Sequence, residues 1–265
     1  MEAAADASPD TSQGASKGVS QAGRPFGILG LCLSLIGLAV LALIGTLVIC
    51  GLILAVVATV MGWQHFGEVL RQALNNNASE AFEMRGLLAA VLAFYVAVAG
   101  AVLIAAKWRG GAKWRDLVGW LPFRVSDWRT WAIMAGALAY SAAASVVIGH
   151  FWHSTAQLTI PSDWLAAAIL FVIAAVVAPV TEELLFRGWI YTSLRFAWGF
   201  WPALLISSVL FALAHYDQTH IYALAVFPIG MVIGIIRERA GIKASIVFHA
   251  INNLAAFCLA AIGNG

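Results

Sequence analysis

FGILGLCLSLIGLAVLALIGTLVICGLILAVVATVM, residues 26–61, carries no charged side chain. About 20 apolar residues are enough for a helix to cross the hydrocarbon core. This run is longer than that, far longer than a signal-peptide core, and has no convincing cleavage site. It reads as a first membrane helix that stays in place, tilted, extended past the bilayer or broken at a glycine. Further apolar runs follow at 86–106, 131–149, 164–186, 202–216, 219–235 and 242–262. The pattern predicts an all-α, polytopic membrane helix bundle of about seven transmembrane helices. Composition agrees, because 62% of the residues are hydrophobic and only 11% charged. Soluble domains carry roughly 25% charged residues, and a chain with so few cannot cover a wet surface. Lipid is the partner this composition demands.

Residues 1–25, rich in Ala, Ser, Gly and Asp, read as a disordered tail. Residues 26–130 form an N-terminal set of membrane helices, and 131–265 a membrane-embedded core. Between them, 107–130 is basic and contains Trp108, Trp114, Trp120 and Trp128. Tryptophans and cations together favour the headgroup zone, so this segment is expected to be interfacial. Cys32, Cys50 and Cys258 lie in apolar runs without metal-ligand or disulfide spacing, and read as small apolar fillers. A net charge of +2 and the absence of a basic aromatic stripe exclude a nucleic-acid binder. Of the 15 Lys and Arg, all but Arg71 and Arg85 fall on one side of the seven-run layout. The positive-inside rule places the N-terminus and 107–130 in the cytoplasm.

An ionisable side chain within a membrane helix is costly and needs a reason. Only Glu182 and Glu183 interrupt an apolar run, in Ala178-Pro-Val-Thr-Glu-Glu-Leu-Leu-Phe-Arg187. Adjacent helical residues point about 100° apart, so the two carboxylates cannot share one role. Glu183 and Arg187 are spaced for an ion pair, which leaves Glu182 as the unpaired carboxylate, suited to a general base. Pro179, one turn earlier, can kink the helix and release a backbone carbonyl. A purely structural ion-pair cluster is the plain alternative.

His215 and His249 favour chemistry. His249 and Asn253, four apart, share a helix face. If 164–186 and 202–216 form an antiparallel hairpin turning near 197–201, Glu182 and His215 lie at similar depth, about 20 Å from the turn. His249 is only seven residues into its run, so the two depths match only if that hairpin projects beyond the bilayer. His65, His150, His153 and His220 fall at run ends and are expected at the interface. Glu, two His and Asn can activate water, hold a carbonyl and stabilise an oxyanion, the needs of peptide hydrolysis. There is no His-Glu-x-x-His helix and no mid-membrane aspartate pair. Gly14-Ala-Ser-Lys17 lies in the tail. A Ser208–His215 dyad is a minor alternative, since the two share a helix face.

The three stretches together resemble the family of CAAX proteases and bacteriocin-processing enzymes (CPBP), also called the Abi or type II CAAX prenyl endopeptidase family. Its pattern is Glu-Glu-x-x-x-Arg, then Phe-x-x-x-His, then His-x-x-x-Asn or Asp. Here it falls on Glu182-Glu183 with Arg187, Phe211 with His215, and His249 with Asn253, and Gly188 also fits. The resemblance covers roughly 160–262 and implies an intramembrane endopeptidase. It implies Glu182 as the base that activates water, assisted by His215, with His249 and Asn253 lining the oxyanion pocket and Glu183 and Arg187 supporting them. The family's metalloprotease label would make Glu182, His215 and His249 zinc ligands with an open position for water. The metal-free form is favoured, because no other unpaired carboxylate remains to act as base. The implied substrate is a membrane-associated protein or peptide, its C-terminal segment if processing is of the CAAX type. The expected location is integral and multi-pass in a membrane, the plasma or inner membrane if the source is bacterial.

Two readings compete with hydrolysis. A proton-coupled transporter would spread ionisable residues along a path and often show a repeat, whereas here there is one cluster and no repeat. A non-catalytic scaffold or immunity protein would act through 107–130 and tolerate loss of Glu182.

The charge asymmetry makes a direct topological prediction. Cysteines introduced singly at Arg115 and Arg71 should react with an impermeant thiol reagent from opposite faces, Arg115 from the cytoplasm. Labelling of position 115 from outside would overturn the orientation.

Overall fold

The computed structural model describes residues 28–75, 79–152, 159–216 and 221–263. The expected tail, His153 and His220 lie outside these residues. The described chain is helical, without a strand. Helix α1 spans Ile28–Met61, α2 Trp63–Leu74, α3 Glu80–Gly110, α4 Trp114–Leu117 and α5 Trp128–Trp152. A long segment, α6, runs Trp164–Trp198. It is followed by α7 Phe200–Ala214, α8 Ile221–Ala240 and α9 Ile242–Gly263.

Five of these segments are long and apolar enough to cross a membrane: α1, Phe82–Leu117, Trp128–Phe151, α6 and Ile242–Ala261. The protein is therefore an integral, multi-pass membrane protein. The expected count was about seven, and the remaining two runs explain the difference. Helix α7 has 15 residues, about 22 Å, short of a hydrocarbon core of about 30 Å. Helix α8 ends in Arg237, Glu238 and Arg239, which belong in a polar layer. Helix α1 is unbroken over 34 residues despite its glycines, and most of its Leu, Ile and Val side chains are exposed, as lipid contact requires. The cysteines follow the same pattern: all three are free thiols, with Cys32 and Cys258 exposed and Cys50 half-buried.

Helix α2 follows in the connection between the first two apolar runs. Trp63, Phe66, Leu70 and Ala73 repeat at spacings of three and four, while Gln64, His65, Glu68, Arg71 and Gln72 take the other face. None of its residues is buried, the pattern of a helix lying in a membrane interface.

The core is made by α6 to α9 with α3 and the turn after α4. Small residues permit the close approach. A Cβ on Gly188 would meet Ile242 at 3.2 Å and Val118 at 3.4 Å, and one on Gly230 would meet Phe211 and Ser208. Gly234 faces Leu204 in the same way. Helix α1 joins the bundle through Ser34, whose hydroxyl accepts from the Trp189 indole at 3.0 Å.

The depth mismatch in the sequence resolves as an offset between hairpins. The last turn of α8 does not meet the end of α6 at Trp198. Glu238 accepts from the Tyr191 hydroxyl at 2.7 Å and from Arg195 at 3.0 Å, and Arg237 donates to Thr192 at 2.9 Å. Tyr191 is seven residues short of Trp198, so the α6–α7 hairpin extends about 10 Å beyond the α8–α9 turn.

That turn is fixed by Gly241, at φ +83°. The amide of Ile242 donates to the Gly119 carbonyl at 2.9 Å. Arg239 meets Asp127 at 3.4 Å, tying the end of α8 to the residue before α5. Of the Trp-rich segment, Trp108 and Trp128 are exposed while Trp114 and Trp120 are half-buried. Arg115 stacks over the Trp114 ring at 5.4 Å and Lys243 over Trp120 at 5.4 Å.

At the other end of the bundle, Asp163 caps α6 by accepting from the Ala166 amide at 2.9 Å. It also binds Arg85 at the start of α3 in a bidentate pair, accepting from Nε at 2.8 Å and from Nη2. The Arg85 hydrogen bond, helped by the Ala166 amide, holds the Asp163 carboxyl down to about 2.

Two stability predictions follow from these ends. Gly241→Ala adds a Cβ 2.8 Å from the Leu121 Cβ and 3.2 Å from the Gly119 carbonyl oxygen. Gly62 has a similar φ of +85° but open space around it. Gly241→Ala should lower unfolding stability by about 2–4 kcal/mol, and Gly62→Ala by only about 1–2 kcal/mol. Equal effects in a detergent unfolding titration would contradict this packing. Because its folded carboxyl titrates near 2 rather than 3.8, the stability that Asp163 contributes is present above about pH 4 and is lost as pH falls toward 2. Asp163→Asn should therefore lower the thermal midpoint near neutrality, with the gap to wild type closing below pH 4. A pH-independent gap would refute the ionic origin of the cap.

Candidate active site

Helix α6 is not a regular α-helix where it carries the acidic pair. It is α-helical over Trp164–Val172, Ala178–Glu182 and Thr192–Trp198, and π-helical over Ile173–Val177 and Glu183–Tyr191. The first π stretch has a local cause. The Ala178 amide donates to the Ile173 carbonyl, five residues back. In that register Ala174 should accept from residue 179, which is proline and has no N–H. Its released carbonyl is taken from another helix, by the Asn253 amide of α9 at 3.0 Å. At the end of the second stretch the Thr192 hydroxyl donates to the Arg187 carbonyl at 3.1 Å. Such π segments recur at functional sites.

The two carboxylates separate as the helical geometry requires. Glu183 is fully buried. Its Oε1 lies 3.4 Å from Arg187 Nη1 and 3.0 Å from His249 Nδ1. Arg187, also fully buried, donates through Nη2 to the Gly230 carbonyl at 2.8 Å and lies over the Phe211 ring at 4.2 Å. The guanidinium is thus answered by a carboxylate, a carbonyl and an aromatic face, while its Nε has no hydrogen-bond partner.

Glu182 points elsewhere. Its Oε1 accepts from the Tyr95 hydroxyl at 2.9 Å. Its Oε2 is buried and accepts no hydrogen bond, yet lies 3.5 Å from His215 Nε2 and 3.7 Å from His249 Nε2. His215 Nδ1 is 2.9 Å from the Phe211 carbonyl. A carbonyl can only accept, so Nδ1 carries the hydrogen and the neutral ring keeps its lone pair on Nε2. His249 is oriented likewise, its Nδ1 facing the Glu183 carboxylate. Three acceptor atoms therefore converge without a hydrogen among them.

The structure brings Glu182, Glu183, Arg187, His215 and His249 into one contiguous cluster. Asn253 lies on the same helix as His249 but donates to the kink carbonyl rather than to these side chains. The His215 side chain is 27% exposed against 4% for His249, so the cluster is approached from the His215 side. Ser208 makes no hydrogen bond to His215. Its hydroxyl is buried, with no hydrogen-bond partner, and it packs against Gly230. Glu182, His215 and His249 are the residues that would hold zinc, but among the described residues no three His, Cys, Asp or Glu side chains form a group that could hold a metal. Their lone pairs are of the right chemistry for it, with Glu182 Oε2 3.5 and 3.7 Å from the two Nε2 atoms. Tyr95 was not legible as a site residue. An isolated tyrosine in the run Ala93-Phe-Tyr-Val96 is ordinary in a membrane helix, and only its packing against Glu182 distinguishes it.

Residues 163–255 match the family model described as type II CAAX prenyl endopeptidase Rce1-like. Over 89 residues the chain is 34% identical to an Escherichia coli protein described only as an "Uncharacterized 24.3 kDa protein". The match covers 32% of this chain and 39% of that one, so the chain spans about two fifths of the curated relative's length. No solved structure matches. The matched segment begins at the Asp163 cap of α6 and holds all three motif stretches, so residues 163–255 are similar to the Rce1-like type II CAAX prenyl endopeptidases.

Proposed function

We propose that this protein is an intramembrane endopeptidase in which Glu182 activates water for attack on a peptide carbonyl. One observation carries the reading: a buried carboxylate oxygen without a hydrogen-bond partner faces two imidazole Nε2 atoms at 3.5 and 3.7 Å. A water donating one hydrogen to Glu182 Oε2 and the other to His215 Nε2 is held with its lone pair free. Its oxygen attacks the carbonyl carbon while Glu182 takes the proton. The developing oxyanion is met in a pocket lined by His249 and by the second amide hydrogen of Asn253, whose first is fixed on Ala174. Collapse breaks the C–N bond, and Glu182 passes its proton to the leaving nitrogen. The products are a carboxylic acid and an amine. Glu183 and Arg187 take no part in the bond changes. They hold His249 and keep the surrounding helices together.

The mechanism is metal-free, because zinc ligation would occupy the one carboxylate oxygen available as base. The substrate is a membrane-associated protein or peptide, cut near its C-terminus as the family description suggests. A peptide of this kind reaches the site from the exposed side of His215.

The test is cleavage of a library of membrane-proximal peptides, some carrying prenylated C-terminal motifs, by purified protein in detergent. Wild type should cleave. Glu182→Gln should lose at least about 10³-fold in kcat/KM, in line with loss of general-base catalysis and of the water's positioning. A zinc chelator should leave wild type unaffected. Cleavage unchanged in Glu182→Gln would refute the assignment, and cleavage lost to chelator and restored by zinc would replace it with a metalloenzyme.

A further inference from the structure

Tyr95 stands outside the segment shared with the family, on a helix that the sequence motifs do not touch. We infer that Tyr95 is a positioning residue for Glu182: its hydroxyl holds Oε1, so that Oε2 alone is presented to the two histidines. The inference rests on the glutamate-base reading and deepens it.

The hydroxyl of Tyr95 donates to Glu182 Oε1 at 2.9 Å. On the same residue the backbone carbonyl accepts from the Thr181 hydroxyl at 3.1 Å. Two consecutive residues of α6 are therefore tied to one residue of α3, one by its side chain and the other by its main chain. This double attachment lies between the two π stretches, where α6 is α-helical for only five residues, Ala178–Glu182. Arg85–Asp163 ties the same two helices again near their N-terminal ends.

A glutamate side chain has three rotatable bonds, and its two carboxylate oxygens are chemically equivalent until the surroundings distinguish them. Here the distinction is complete. One oxygen accepts from a phenol, and the other faces only ring nitrogens. Without the hydroxyl the carboxylate can turn about its last torsion, and either oxygen can swing out of line with His215 Nε2. A general base must sit within hydrogen-bond reach of the proton it takes, and a displacement of about 1 Å reduces rate by about 100-fold. Tyr95 does not touch the reacting atoms, so its effect should appear in turnover and not in substrate binding. The consequence for the architecture is that residues 163–255 are not self-sufficient. The base within them is aimed by a side chain from the N-terminal half.

The experiment compares Tyr95→Phe, which removes one oxygen and keeps the ring, with Thr181→Val and Glu182→Gln in the full chain. Tyr95→Phe should lower kcat by about 10- to 100-fold with KM within about twofold of wild type. Thr181→Val, which loosens the same contact but leaves the phenol in place, should lower kcat by less than about fivefold. Tyr95→Phe with wild-type kcat, while Glu182→Gln is inactive, would overturn the inference and leave the glutamate-base reading intact. Wild-type turnover in both Tyr95→Phe and Glu182→Gln would remove that reading and the inference with it. A second measurement needs no turnover. If the phenol's partner is the Glu182 carboxylate, Tyr95→Phe should shift the unfolding midpoint of wild type but not that of Glu182→Ala. Equal shifts in both backgrounds would overturn the inference.

Discussion

A charge placed in hydrocarbon has no water to answer it, and the arrangement of this bundle follows from how Glu183 and Arg187 are answered. The guanidinium draws on Glu183 of its own helix, the Gly230 carbonyl of α8 and the Phe211 ring of α7, while Glu183 also meets His249 of α9. One buried pair thus contacts α7, α8 and α9. Buried ion pairs are weak evidence for stability in themselves, but removing one partner leaves an uncompensated charge at a cost of about 3–5 kcal/mol. The pair therefore fixes where four helices stand. Glu182, the next residue along, is left free of that network and is directed at the histidines by what surrounds it.

The membrane helices were legible because hydrocarbon enforces their length and composition, and the family match and the apolar spans agree with that reading. The acidic pair stood out for the same reason: in an apolar run, Glu182 and Glu183 are visible by their cost. Pairing between distant segments was less visible. Nothing near Arg85 or Asp163 announces the other, and Tyr95 looks like any amphipathic aromatic. The ends of helices were also blurred. Helix α6 was expected to stop at 186 and continues to Trp198, because Thr192, Arg195 and Tyr191 find partners on α8 rather than on solvent. Helix α2 could have been found from its spacing, since Trp63, Phe66, Leu70 and Ala73 follow the helical period.

The π register of α6 was the deepest omission. Proline at 179 suggested a kink and a released carbonyl, but not which carbonyl or what would take it. That depends on whether the preceding turn bonds four or five residues back, a choice made by packing against α3 and α9. The hairpin offset has a similar origin. The sequence showed that Glu182 and His249 stand at different distances from their turns, and the contacts of Glu238 with Tyr191 and Arg195 show the α6–α7 turn projecting past its neighbour.

Pro179 and Asn253 are 74 positions apart in the chain, yet they solve one problem between them. Proline withholds the hydrogen that the Ala174 carbonyl needs, and the asparagine amide provides it. In hydrocarbon an orphaned carbonyl costs several kcal/mol. An ordinary residue at 179 would release Asn253 from this duty, whereas an apolar residue at 253 beside an unchanged Pro179 would strand the carbonyl. The two positions should therefore drift together over evolutionary time. A substitution at one resets which residues are admissible at the other, so that neither site has a tolerance of its own.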